Sequence, residues 1–309
     1  MTNTTDVTAP PPGSVDYPGP RRSAGVSSEK KDSKLFGGFA HVALAIWGLL
    51  VIAPLIWVVL ASFKSNAEIF TEAPFSLPSA LSFETYKTAW TEAHIGRYFL
   101  NSIFVVACST TATMVFGSMA AYVLARYKFF GNKFIYYLFV SGMAFPVFMA
   151  IVPLFLILQN LGLLNTYLGL ILVYTAYSLP FTVFFMTAFF KTLPNHVAEA
   201  AVVDGASHTR LFFQVMLPMA KSGLISITIF NVVGQWNQYL LPVAIMQGQG
   251  ADEKWVLTQG IANISVSAGY QANWAALFAA LTLSILPMII VYAFFQRQIQ
   301  SGLTAGASK

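Results

Sequence analysis

The chain has 309 residues, of which 56% are hydrophobic and only 9% are charged. Soluble domains carry about 25% charged residues, so this composition argues against an ordinary water-soluble globular protein and predicts an all-α protein that crosses a membrane several times. The formal net charge is +5, but the basic residues are scattered without a basic stripe, which argues against nucleic-acid binding. The single cysteine, Cys108, excludes an internal disulfide.

The N-terminal segment, residues 1–35, is rich in Thr, Pro and Ser and includes a run of three prolines at 10–12. It holds too little apolar surface to offset the entropy lost on ordering, and we therefore expect a disordered tail. A tail that docks on a specific partner is the alternative.

Six apolar runs follow, each long enough to cross a bilayer core of about 30 Å as a helix. They define a predicted domain of six transmembrane helices over residues 36–300, followed by a short tail at 301–309. Buried helices of a large soluble protein are the alternative, but core helices are usually shorter. The predicted spans are residues 40–63, 98–125, 134–158, 167–190, 222–246 and 273–296.

The basic residues set the expected orientation. If the N-terminus lies in the cytoplasm and the spans alternate, 13 of the 17 Lys and Arg residues fall on the cytoplasmic side. The positive-inside rule therefore predicts that both termini, and the tails at 1–35 and 301–309, are cytoplasmic. The four basic residues left outside are Lys64, Lys87, Arg97 and Lys254.

The predicted spans contain no Asp, Glu, Lys or Arg. Transporters coupled to protons or ions usually place carboxylates or histidines within the membrane to hold the coupling ion. Their absence favours a solute path driven by another subunit, although sodium sites built from carbonyl and hydroxyl oxygens remain open. The chain also has no phosphate-binding loop, no metal-ligand cluster and no nucleophile–base pair, so we expect no catalytic residue, no metal and no bound cofactor.

The fourth and fifth spans are separated by the longest predicted cytoplasmic loop, residues 191–221. Pro194 and Asn195 are good helix-start residues, the stretch His196–Val203 lacks helix breakers, and Gly205 is placed to end the helix. The loop therefore predicts a short helix at the membrane surface, followed by a second one that leads into the fifth span.

A spaced motif runs through this loop. It begins with Glu-Ala-Ala at 199–201, has Gly205 six residues after the glutamate, and ends at Leu217-Pro218, with Val215 where isoleucine is usual. The motif resembles the cytoplasmic loop with which membrane subunits of bacterial ABC importers dock onto their ATPase. An ordinary amphipathic surface helix is the alternative.

The resemblance implies a coupling helix that fits a cleft on an ATPase and carries its closure into the spans. It implies a multi-pass permease in the plasma membrane of a bacterium. Its partners would be a paralogous permease subunit in a heterodimer, two ATPase subunits that use ATP and Mg, an extracellular solute-binding protein and the lipid bilayer. The residues implied for ATPase coupling are Glu199, Ala200, Ala201, Asp204, Gly205, Leu217 and Pro218.

The fifth span carries uncharged polar groups that suit a neutral, hydroxyl-rich ligand. Its Trp236-Asn237 pair also resembles the carbohydrate permeases of the maltose type, in particular the smaller of their two membrane subunits, which implies a sugar or oligosaccharide substrate. Interhelical hydrogen bonding is the alternative role for these amides. The candidate residues of the substrate path are Asn231, Gln235, Trp236, Asn237 and Tyr239.

Three other functions remain open from the sequence. An ion-coupled secondary transporter or channel would work without ATP, a membrane scaffold would carry no solute, and an ABC permease could serve a non-sugar solute. The outer loop at 247–272 is expected, by the same resemblance, to contact the binding protein.

Overall fold

The computed structural model describes residues 26–70, 75–267 and 273–307. These ranges are helical and contain no strand, which confirms an all-α fold. The helices are α1 (Val26–Ala61), α2 (Asn66–Phe70), α3 (Glu84–Thr91), α4 (Ile95–Arg126), α5 (Asn132–Met143), α6 (Val147–Asn160), α7 (Tyr167–Thr192), α8 (Asn195–Val203), α9 (His208–Arg210), α10 (Leu217–Met219), α11 (Lys221–Trp236), α12 (Leu240–Ile245), α13 (Leu257–Ser267) and α14 (Trp274–Ala307), with a π-helix at Leu211–Met216 and a 3-10 helix at Asp252–Lys254.

Four of the described helices are long and apolar enough to cross a membrane, and they match four of the six predicted spans within a few residues. Their apolar segments are Gly38–Ala61, Ile95–Arg126, Tyr167–Thr192 and Trp274–Gln298. The described part of the chain therefore has four such helices, or up to six if two bent helix pairs each count as one span.

The third predicted span, 134–158, is a bent pair. Asn132–Ala144 and Val147–Asn160 meet at an angle of 106°. Pro146 stands immediately before α6, and proline disfavours helical backbone in the residue before it, here Phe145. Other prolines, such as Pro180 in α7, stay within a continuous helix, so the presence of a proline alone does not locate the break.

The fifth predicted span, 222–246, is not one continuous helix. α11 ends at Trp236, and the short α12 starts only at Leu240. The bent pair in this region instead joins His208–Met219 to Lys221–Trp236 at 78°. The second half of the predicted cytoplasmic loop thus belongs to the same pair as α11.

The chain divides into two compact units, residues 1–55 and 56–309. The predicted tail lies in the first, where residues 1–25 fall outside the described residues. α1 begins at Val26, earlier than the predicted start of the membrane domain at residue 36. At the other end of the chain, α14 continues through Ala307 into the segment that the sequence assigned to a tail.

The pair of α4 and α7 forms the centre of the second unit. A β-carbon at Gly117 of α4 would lie 2.6 Å from Cγ2 of Thr182 in α7, so only glycine allows this approach. Ala121, one turn further along α4, is completely buried. Small residues therefore set the distance between these helices, as is usual for helices that pack in membranes.

α13 lies within the stretch predicted as an outer loop, 247–272, and packs on α4 and α14. The backbone N–H of Leu257 donates to Ser102 Oγ at 2.7 Å, and Asn101 Nδ2 donates to the backbone oxygen of Trp255 at 2.9 Å. Its polar residues made this stretch look like a loop, but the polar groups of α4 anchor it as a short helix.

Candidate functional site

The predicted coupling helix is α8, and it is attached to the end of α4. Pro194 precedes its first residue, Asn195, as the sequence predicted. The Arg126 guanidinium donates through Nη2 to the backbone oxygen of Leu193 at 2.7 Å and through Nη1 to Asn195 Oδ1. The start of α8 is therefore fixed to the last residue of a long apolar helix.

The C-terminus of α8 has the geometry that the sequence predicted from Gly205. This glycine has φ of 80°, its N–H donates to the oxygen of Val202 at 3.0 Å, and the N–H of Ala206 donates to the oxygen of Ala201 at 2.9 Å. These two bonds form a Schellman motif, in which a left-handed residue satisfies the last carbonyls of a helix. A β-carbon at Gly205 would meet no atom within 4 Å, so its requirement for glycine is conformational.

α8 presents one face to its own chain and leaves the other open. Ala198 and Ala201 are half-buried against the cluster that contains Tyr122, Phe190 and Phe212. On the opposite face the side chain of Val203 is 87% exposed. The predicted coupling residues Glu199, Ala200, Asp204 and Gly205 are all exposed as well, whereas Ala201 lies on the packed face.

Leu217 and Pro218 lie at the turn between the π-helix Leu211–Met216 and α11. Leu217 packs against the same cluster as α8, and Pro218 is exposed in the short α10. The segment before them, Leu211–Met216, is a π-helix. This form is rare in proteins, and where it occurs it is often at a functional site. Ser207 caps the start of this second segment by accepting from the N–H of Arg210.

Gln235 of the predicted substrate path lies inside the protein, in a hydrogen-bond network between α4, α7 and α11. Its Oε1 accepts from Ser109 at 2.6 Å and from Thr110 at 3.0 Å. Its Nε2 donates to Ser178 at 3.0 Å. Gln235 is 5% exposed, so its amide is both buried and satisfied by the chain itself.

Asn231, one turn before Gln235, has a similar place. Its Nδ2 donates to Thr182 Oγ1 at 2.9 Å, and the residue is 4% exposed. For both residues the structure shows the interhelical bonds that were the alternative to ligand contact. Contact with substrate remains a prediction for this pair.

The remaining three candidates of the path separate at the end of α11. Trp236 is buried, and its Nε1 donates to the oxygen of Ser284 in α14 at 3.2 Å. Asn237 and Tyr239 lie in the break before α12 and are exposed. Of the five predicted residues, Asn231, Gln235 and Trp236 are therefore buried, and Asn237 and Tyr239 are exposed.

The hydroxyl partners of this network and Arg126 were missed in the sequence. Their signal is the spacing of hydroxyl residues in apolar helices: Ser109 and Thr113 in α4, and Ser178 and Thr182 in α7, are each four residues apart and so lie on one face. A repeated hydroxyl at this interval predicts a polar seam between helices.

Residues 113–304 match the family described as "Binding-protein-dependent transport system inner membrane component". The chain belongs to this family. As a member it is a membrane-embedded, multi-pass transport permease and not an enzyme. The matched region includes the segment 191–221, Gln235 with its partner Ser178, and the break between α11 and α12, whereas Ser109 and Thr110 of the network precede it.

Individual relatives match this family member over most of its length. It is 50% identical over 283 residues to the diacetylchitobiose uptake system permease protein NgcG of Streptomyces coelicolor, covering 92% of this chain and 91% of the relative. It is 29% identical to the diacetylchitobiose uptake system permease protein DasC of the same organism, covering 89% of this chain and 98% of the relative.

A solved structure has the same fold. A chain of a bacterial ABC transporter involved in the import of the acidic polysaccharide alginate aligns with a TM-score of 0.76 and 24% sequence identity. The alignment covers 86% of this family member and 97% of the alginate transporter chain.

Proposed function

We propose that this chain is a membrane-spanning permease subunit of an ATP-driven importer of oligosaccharides, and that diacetylchitobiose is the first solute to test. The observation that carries the proposal is the 50% identity with a diacetylchitobiose permease over nearly the full length of both chains. A second relative of this chain, 29% identical, is also named for diacetylchitobiose uptake.

The proposed membrane arrangement has six spans with both termini in the cytoplasm of a bacterium. Support comes from the four long apolar helices, from the two bent pairs that could each form one further span, and from the basic residues on the proposed inner side. In this arrangement α8 is cytoplasmic, and the exposed Glu199 and Val203 face the proposed ATPase.

The proposed partners are a paralogous permease, two ATPase subunits and an extracellular solute-binding protein. This chain would bind no cofactor itself, and the ATPase subunits would use ATP and Mg. Closure of the ATPase pair would push on α8, and the bonds from Arg126 to Leu193 and Asn195 would transmit the push to α4. The solute path would then open outward and, after hydrolysis, inward.

Uptake by the reconstituted importer tests the proposal. We expect proteoliposomes with both permeases and the ATPase to take up labelled diacetylchitobiose only with ATP inside and loaded binding protein outside. Omitting the ATPase should abolish uptake. Uptake by this chain alone, without ATP, would instead support a secondary transporter or channel and would overturn the proposal.

A further inference from the structure

A cleft of about 340 Å³ lies beside the break that follows α11, between α12 and α13. Its polar lining consists of amide and aromatic side chains, and none of its lining residues carries a charge. Tyr239, Trp255 and Gln259 line it together.

Gln259 provides a hydrogen-bond donor in this cleft. Its Oε1 accepts from the N–H of Val256 at 3.3 Å, which caps the start of α13. Its Nε2 has no hydrogen-bond partner among the residues that the structure describes, although the residue is only 5% exposed. This donor opens onto the cleft rather than lying sealed in the core, so a ligand oxygen bound there can accept from it.

Tyr239 and Trp255 provide aromatic surface next to this donor. The Tyr239 side chain is 43% exposed, and within the described ranges its hydroxyl makes no hydrogen bond. The indole N–H of Trp255 already donates to the oxygen of Met246 at 3.2 Å, so Trp255 has only its ring to offer a ligand. An aromatic face combined with a free phenol and amide suits the apolar face and hydroxyls of a sugar ring.

The charges near the cleft favour a neutral solute. An acidic sugar would require Lys or Arg, which bind carboxylates through charge-assisted hydrogen bonds. The lining has neither. The short 3-10 helix that precedes Trp255 carries the exposed carboxylates Asp252 and Glu253 together with Lys254, whose Nζ donates to the backbone oxygen of Asn165 at 3.0 Å. The volume falls within the range of small-molecule sites.

The cleft lies far from the coupling helix. Asn101, which bonds to Trp255, is near the first residue of α4, and Arg126, which bonds to Leu193, is its last. Since an α-helix rises about 1.5 Å per residue, these two positions are about 37 Å apart. That distance is comparable with the thickness of a membrane, so the cleft and α8 belong to opposite sides.

We propose that this cleft binds a neutral oligosaccharide as it enters the permease, with Gln259 and Tyr239 as its hydrogen-bonding residues. This site rests on the proposed function. Among the residues predicted for the substrate path, Tyr239 would contact the solute here, whereas the buried Asn231 and Gln235 do not line the cleft.

Two conservative variants test the cleft. Tyr239→Phe removes only the hydroxyl, and Gln259→Glu keeps the oxygen that caps α13 while removing the amide donor. We measure uptake of labelled diacetylchitobiose by proteoliposomes that contain the assembled importer, with saturated binding protein outside. Each variant should lower the uptake rate by about five- to tenfold, as expected for one lost hydrogen bond, and leave ATP hydrolysis stimulated by loaded binding protein unchanged.

Matched controls carry the same chemical changes outside the cleft. Tyr177→Phe and Gln159→Glu alter exposed residues that do not line it, and both should transport normally. Normal uptake by both cleft variants, or equal losses in the controls, would overturn this inference and leave the proposed function intact. Absence of ATP-dependent uptake by the unmodified importer would overturn the proposed function and the inference with it. If Gln259→Glu does not accumulate, Tyr239→Phe decides.

Discussion

Arg126 Nη2 donates a 2.7 Å hydrogen bond to the backbone oxygen of Leu193, which joins the last residue of α4 to the segment that begins α8. The same guanidinium bonds to Asn195, the first residue of α8. Because guanidinium is planar with several fixed donors, a single side chain holds the helix start at two points. This is a direct physical link between a membrane-crossing helix and the proposed coupling helix.

Replacing Arg126 with Gln should loosen that link. A lost hydrogen bond from a charged donor costs about 1.5–3 kcal/mol, which raises the population of undocked α8 by about tenfold or more. Limited proteolysis within residues 191–207 should therefore quicken, and uptake per ATP hydrolysed should fall. Arg210→Gln is the control, since among the described residues the side chain of Arg210 bonds only to Gln214, within its own segment. Equal proteolysis of the two variants would contradict the expected link.

Two substitutions at Gly205 should show whether this position requires a left-handed backbone conformation or only a small side chain. Its φ of 80° is accessible to Asn at low cost but strained for a β-branched residue by about 1–2 kcal/mol. We expect Gly205→Val to abolish uptake while leaving membrane insertion intact, and Gly205→Asn to retain most uptake. Uptake assays with quantified membrane levels give the comparison, and normal coupled uptake by the valine variant would refute the prediction.

The sequence predicted the long helices and both ends of α8 because these depend on local signals: apolar length, Pro194 before the helix and Gly205 after it. It did not predict the end of α11 before Tyr239, although Asn237 and Gln238 are polar, because apolar residues resume at 240 and the whole stretch is long enough for one span. Helix α13 was missed for the opposite reason. Its polar sequence resembles a loop and is ordered by tertiary bonds such as that from Leu257 to Ser102.

The candidate site was predicted unevenly for a related reason. Spacing in the sequence predicted Gly205 as the end of α8, which the structure confirms, whereas the coupling role of Glu199 on the same helix stays a prediction. The amides at 231 and 235 were recognised as polar groups within a membrane helix, but their partners Thr182 and Ser178 lie on another helix. Whether such an amide faces a cavity or a neighbouring helix depends on packing, which periodicity alone does not give.

Gln235→Leu should destabilise the permease more than it changes the recognition of solute. The variant leaves Ser109, Thr110 and Ser178 without their amide partner, and hydrogen bonds between membrane helices contribute about 0.6–2 kcal/mol each. Thermal unfolding in detergent should therefore occur at a lower temperature. Asn237→Leu is the control, because Asn237 is exposed and, in the part of the chain that the structure describes, its side chain bonds only to the backbone oxygen of Val233 in the adjoining helix.

The segment around Glu68 should respond to acid only at very low pH. A hydrogen bond from the Ser79 hydroxyl, followed by the backbone N–H groups of Ser65 and Ser79, lowers the pKa of Glu68 to about 2. A lowered pKa in the folded state means that the contact contributes fully above pH about 4.5 and is lost as the pH falls toward about 2. Hydrogen exchange should show that the Ser79 amide is protected and that its protection is the same between pH 5 and 7, because Glu68 stays ionised over this range. Glu68→Gln should weaken protection at every pH, and equal protection in the two proteins would contradict the assignment.

Gly260→Ala should displace α13 from α4. A β-carbon at this position would lie 2.1 Å from Cδ2 of Tyr98, so either the ring or the helix has to move. Overpacking of this kind costs about 1–3 kcal/mol, and the cleft beside α13 should lose its shape. Combining the change with Tyr98→Ala should destabilise less than the sum of the two single variants, because the clash is removed. Thermal unfolding of the three variants measures this coupling, with Gly234→Ala as a control at a site where a β-carbon meets no atom within 4 Å. Strict additivity would show that the contact between Gly260 and Tyr98 does not hold α13 in place.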